Sequence, residues 1–123
     1  MNTVLWVIQF LLALLFGMAG LMKLTQPYEK LAERMAWVNS FTITQVRMIG
    51  GVEFLAAFGL LLPGLTGILP WLTPLAAAGL VLDMIGAAYT HVRRHEVPNI
   101  IGNIVLLALA LFIAYGRFVA VPL

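Results

Sequence analysis

Two carboxylates stand where carboxylates are expensive. Glu53 lies inside an apolar run over residues 46–62, and Asp83 lies inside another over residues 71–89. A charge at the centre of a membrane-spanning helix costs about 2.5–3.5 kcal/mol on insertion scales, so such groups pair, hold a proton or face a polar interior. Lys23 and Arg47 sit close enough to the interface to snorkel, and could also neutralise Glu53. If Glu53 and Asp83 meet without a cation they cannot both ionise easily, and they would hold a proton between them. His91 could exchange protons near physiological pH, and Asn99, Asn103 and Gln9 add neutral donors and acceptors. The candidates for ligand binding or proton handling are therefore Glu53, Asp83, His91, Asn99, Asn103, Lys23 and Gln9. For each, a structural role stays open beside the functional one. The acids could be an ion pair that holds a bundle together, and the amides could be helix caps or interhelical hydrogen bonds.

Other chemistries are absent from the chain. His91 and His95 are too sparse for a metal site, and there is no phosphate-binding loop and no catalytic triad. With no cysteine, the chain has no thiolate metal site and no thiol redox relay of its own. A net charge of +2, spread along the chain, offers nothing for nucleic acid.

The elements that position these groups are membrane helices. The 123 residues are 63% hydrophobic and 10% charged, against roughly 45–50% and 25% in soluble domains. A small soluble fold could not hide that much apolar surface. Four apolar runs, at residues 4–22, 46–62, 71–89 and 100–115, approach the ~20 residues that a spanning helix needs. Helices are expected because backbone groups in lipid must satisfy one another within the segment. No Lys or Arg precedes Lys23, so the first run lacks the basic start of a signal peptide and reads as an uncleaved first span. The fold class expected is an all-α, four-transmembrane-helix bundle in a single membrane domain, residues 1–123. Its spans fall at about 3–23, 44–63, 70–91 and 98–117. A short amphipathic interfacial helix is expected over about 27–39, with Leu31, Met35 and Val38 opposite Glu29, Lys30, Glu33 and Arg34.

Charge bias sets an orientation. The first loop region carries Lys23, Lys30, Arg34 and Arg47, the third carries Arg93 and Arg94, and the C-terminal end carries Arg117 alone. Loops one and three are therefore expected in the cytoplasm and both termini outside. Small and polar residues recur at spacings of three and four: Gln9, Ala13, Gly17 and Gly20; Val46, Gly50, Glu53 and Ala57; Ala76, Gly79, Asp83, Gly86 and Thr90; and Asn99, Asn103, Leu106, Ala110 and Ala114. Each stripe is expected to face inward, because small residues let membrane helices approach closely. Counting back from the helix ends at 1.5 Å per residue puts both acids roughly 12–14 Å from the cytoplasmic side.

The order of several motifs resembles the DoxX-like family of small bacterial membrane proteins. They are Phe16-Gly17-Met18-Ala19-Gly20-Leu21-Met22-Lys23-Leu24, the connector over residues 27–37, and Ile49-Gly50-Gly51-Val52-Glu53 with Gly59 and Leu62-Pro63 after it. Gly86-Ala87-Ala88-Tyr89-Thr90-His91 and the Asn-containing start of the fourth helix complete the match. The resemblance implies a four-helix bundle in the bacterial inner membrane. It implies either a link to thiosulfate or quinol oxidation or an accessory and assembly role for membrane and redox complexes, and it supplies no catalytic residue set. Three functions follow for testing. The first is a non-enzymatic accessory or assembly subunit that holds a quinone or lipid in a polar interior. The second is a dimeric proton-coupled transporter using Glu53 or Asp83. The third is a quinone-linked oxidoreductase subunit with His91 and Asp83 moving protons. No cofactor is evident beyond the room left for a quinone. The partners expected are the bilayer, a membrane or redox complex, and a second copy of the chain.

Overall fold

A computed structural model describes all residues, Met1–Leu123. Helix α1 (Asn2–Thr25) is followed by a short α2 (Tyr28–Arg34) and a 3₁₀ turn (Ala36–Ser40). Then come α3 (Ile43–Thr66), α4 (Leu72–Arg93) and α5 (Val97–Tyr115), which runs into a π-helical turn at Gly116–Ala120. Four segments are long and apolar enough to cross a membrane: Asn2–Thr25, Ile43–Thr66, Leu72–Arg93 and Val97–Ala120. Only 26 of 123 residues are buried, and Leu14, Leu55, Leu82 and Ile101 are among the many large apolar side chains left on the outside. In lipid that outer surface is matched to its solvent.

The helix ends follow from local chemistry. Thr42 caps α3 in a reciprocal pair with Gln45, each side chain meeting the other's backbone N–H. Gly67, at φ 71°, ends α3 in the left-handed conformation that glycine adopts without steric cost. Proline nitrogens cannot donate, so Pro63 leaves the Gly59 carbonyl without its helical partner. The Thr73 hydroxyl of α4 donates to that carbonyl at 2.9 Å. Pro27 likewise cannot serve the Lys23 carbonyl, which accepts from Arg47 Nη1 at 2.6 Å.

Packing runs as two close pairs, α1 with α3 and α4 with α5, joined mainly through α3 and α4. At Gly20 the backbones of α1 and α3 nearly touch, and a Cβ there would lie 2.6 Å from the Gly50 carbonyl oxygen. The stripes expected on α1 and α3 do face inward, with Gln9, Ala13 and Gly20 of α1 and Val46, Gly50, Glu53 and Ala57 of α3 all buried. On α4 the buried face is Thr73, Ala77, Leu80, Met84 and His91, a rotation away from the small-residue stripe. Leu80 and Met84 supply bulk that the core needs, whereas Gly79 and Gly86 have open space where a side chain would be. Ala76 on the small face of α4 meets α3 at Gly59, while Asp83, Gly86 and Thr90 farther along border a cavity.

The connector also differs from a single amphipathic helix. It breaks at Met35, whose backbone is extended (φ −129°, ψ 94°). The Tyr28 hydroxyl donates to the carbonyl of Val38 or Phe41, each 3.0 Å away, and folds the second piece back on the first. Leu31, Val38 and Val46 pack together beneath it. The break turns Trp37 onto Lys23, with the ammonium 5.3 Å from the ring centroid. An unbroken helix would have kept Trp37 off the face formed by Leu31, Met35 and Val38.

Candidate functional site

One cavity, about 380 Å³, occupies the half of the bundle nearest the connector. Its volume falls in the range of small-molecule sites, about 300–1,000 Å³. Phe16, Trp37, Phe41, Ile49 and Leu106 supply apolar wall, and Lys23, Glu53, Asp83, His91 and Asn103 supply the polar wall. Each spanning helix contributes, and the connector closes one end through Met35, Trp37 and Phe41.

The polar wall has a definite charge arrangement. Lys23 Nζ donates to Glu53 Oε1 at 2.5 Å, and both side chains are almost wholly buried. Asp83 faces Glu53 from α4, and its Oδ2 is buried with no hydrogen-bond partner. Lys23 is thus the one cation set against two carboxyls. Asn103 Nδ2 has only the Met84 sulfur, at 3.5 Å, a weak acceptor that leaves the amide free to bind something stronger.

His91 enters the cavity from the end of α4, and its Nδ1 lies 2.7 Å from Glu96 Oε1 in the turn before α5. The hydrogen bond with His91 and the neighbouring Arg94 hold the Glu96 carboxyl below the usual carboxylate range. Arg94 also reaches the Ser40 hydroxyl at 2.5 Å, tying this turn to the connector. His95, at φ 57°, takes the left-handed conformation that reverses the chain here.

Of the candidate residues, Lys23, Glu53, Asp83, His91 and Asn103 line this one cavity. Asn99 does not; it is exposed in the first turn of α5. Gln9 is at the opposite end of the bundle, donating through Nε2 to the Leu60 carbonyl at 2.6 Å. There it accepts from Arg117 Nε at 2.7 Å. Arg117, only 2% exposed, also donates to Asn2 Oδ1 and the Val121 carbonyl, with its guanidinium 5.4 Å from the Trp6 ring centroid. In the sequence Arg117 figures only as a topology charge. The signal that could have placed it inside is its proximity to the π-turn glycine, Gly116, which lets the chain close on Leu5. Trp37 and Phe41 also line the cavity, beyond the break at Met35 that no spacing in the sequence marks.

The family model of the DoxX-like family matches residues 7–113. The chain belongs to the DoxX-like family. This DoxX-like protein is a multi-pass membrane protein with a four-helix bundle, as the motifs in its first, second and third helices imply. The match spans every lining residue of the cavity and stops short of Arg117. No curated protein and no solved structure matches the chain.

Proposed function

We propose that this DoxX-like protein is a non-enzymatic accessory subunit of a bacterial inner-membrane complex, and that its cavity holds an amphiphile of quinone or lipid type. The observation that carries the reading is the division of the cavity wall: a polar cluster of Lys23, Glu53, Asp83, His91 and Asn103 on a largely apolar surround. That division suits a molecule with a small polar head and an apolar body. On this reading the cavity binds and orients its occupant, and the chemistry belongs to a partner. The two basic loops are placed in the cytoplasm and the termini outside, on the charge bias.

The test is to purify the protein in mild detergent and extract it for mass spectrometry. A quinone or a defined lipid should co-purify near one per chain, and Asp83→Leu should deplete it. Reproducible absence of any such molecule removes the ligand part of the reading. Absence of any membrane partner in cross-linked membranes removes the accessory part.

A second reading, a proton-coupled transporter, is favoured by the partnerless oxygen of Asp83 beside Glu53. Intramembrane acids of that kind carry protons in pumps and transporters. Unchanged proton uptake by Asp83→Asn in reconstituted vesicles would exclude it.

A further inference from the structure

The charges around the cavity do not balance. The polar and charged groups that line the cavity with Asp83 are Lys23 of α1, Glu53 of α3, Thr90 and His91 of α4, Asn103 of α5 and Trp37 of the connector. Lys23 is committed: its ammonium holds Glu53 at 2.5 Å and stands over the Trp37 ring. His91 is committed through Nδ1 to Glu96, which Arg94 also approaches at 3.4 Å. Arg47 is not on the cavity wall and donates to the Lys23 carbonyl. Thr90 donates its hydroxyl to the Gly86 carbonyl at 3.0 Å, so it offers Asp83 no proton. Asp83 Oδ2 is left as a buried acceptor on a wall of the cavity.

A buried carboxylate without a partner is neutralised by a proton or by a cation. A phosphate, a carboxylate or any other anionic head would face two acids and one lysine, so repulsion rejects it. A neutral quinone carbonyl is an acceptor: it can use the proton of a neutral Asp83, but it brings no charge to replace that proton. A protonated amine supplies both what the oxygen lacks, a donor, and what the cavity lacks, one positive charge. Phe16, Trp37 and Phe41 add aromatic surface that favours a cation and an apolar tail alike.

We infer that the cavity selects amphiphiles with a protonated amine head, seated against Asp83, over neutral and anionic ones. The inference rests on the reading of this cavity as a ligand site, and it narrows the ligand class within that reading. In the empty cavity a proton neutralises Asp83. When the ammonium enters, that proton leaves to bulk water and the ammonium replaces it, so binding exchanges one proton for one amine. Lys23 and Glu53 remain paired throughout.

The experiment uses the full chain in nanodiscs of neutral phosphatidylcholine, with empty nanodiscs as the partition control. Decylamine, decan-1-ol, decanoate and a short-chain ubiquinone are titrated calorimetrically at pH 7 in two buffers of different ionisation enthalpy, which counts protons released. Decylamine should bind about tenfold or more tighter than decan-1-ol, the ratio that one modest charge interaction supplies. It should release close to one proton, and decanoate should bind weakest. Asp83→Asn should erase both the preference and the proton release, while Asp83→Glu should keep the preference. The conservative variant guards against mistaking misfolding for loss of the counter-charge. Equal binding of amine and alcohol, tighter binding of the ubiquinone, or a preference that survives Asp83→Asn overturns the inference while leaving the ligand site standing. Binding of none of the four overturns both.

Discussion

At the scale of single residues, the Lys23–Glu53 pair is the strongest commitment the chain makes. Both groups are buried and joined at 2.5 Å, so each needs the other to be tolerable in a low-dielectric surround. Lys23→Met strands the Glu53 carboxylate beside a second acid, Asp83, and should cost about 3–5 kcal/mol in reversible detergent unfolding. Combining it with Glu53→Gln should recover most of the loss, because the stranded carboxylate is then gone. A double variant no more stable than the single one would show that the pair is not what the site depends on. The two acids and their lysine were legible from the sequence because charges in apolar runs stand out. Arg117 was not, since a positive-inside count weighs charges by loop and ignores depth. Its burial depends on Gln9, Asn2 and the Val121 carbonyl arriving from both ends of the chain, contacts that no local spacing reveals.

At the scale of elements, glycine separates the two kinds of helix face. Gly20 lies where α1 and α3 meet backbone to backbone, and Gly79 lies over open space. Gly20→Ala should therefore force the helices apart and cost about 1–3 kcal/mol, the range for overpacked contacts. Gly79→Ala should be neutral or stabilise by up to about 1 kcal/mol through helix propensity. Thermal melts of the two variants in one detergent check the contrast, and equal destabilisation would mean that α4 is packed on that face as well. Periodicity alone located the stripe on α4 but not what it borders, because a small residue marks a close helix and an empty space identically. The turn between α4 and α5 adds a pH dependence. Glu96 is held below its ordinary value of 4.5, so its contribution is complete above that value and is lost as pH falls through the lower folded one. The stability difference between the wild type and Glu96→Gln should therefore persist at pH 7 and vanish in strong acid. A difference that grows on acidification would contradict the sign.

At the scale of the whole molecule, the two ends differ in kind. The end near Arg117 is filled by tight contacts: Leu5 against Gly116, and Trp6 against Gly64. The end near the connector is where the helix pairs leave a cavity. Four crossings and an all-helical class were readable from bulk hydrophobicity, since lipid leaves the backbone few alternatives. The cavity was not, because its wall is assembled from all four spanning helices and from a connector that folds back. With the basic loops in the cytoplasm, as proposed, a protease-accessible tag at the N-terminus should be reached only from outside the cell, and cytoplasmic access would reverse the assignment.

The position of Asp83 has an electrical consequence. It lies eight residues before His91, roughly 12 Å along a helix rising 1.5 Å per residue, or about 40% of a hydrocarbon core ~30 Å thick. On the proposed orientation, a cation travelling from the cytoplasmic face to that carboxyl crosses a comparable share of the transmembrane voltage, and the proton it displaces crosses the same share on its way back. Uncompensated entry against an inside-negative potential of 100 mV would cost roughly 0.9 kcal/mol at about 2.3 kcal/mol per charge per 100 mV, about fivefold in affinity, whereas the exchange moves no net charge. In vesicles clamped with a potassium gradient and an ionophore, amine affinity should stay level as the interior is made negative. A fivefold fall would mean that the ammonium enters without sending a proton back to the cytoplasmic side.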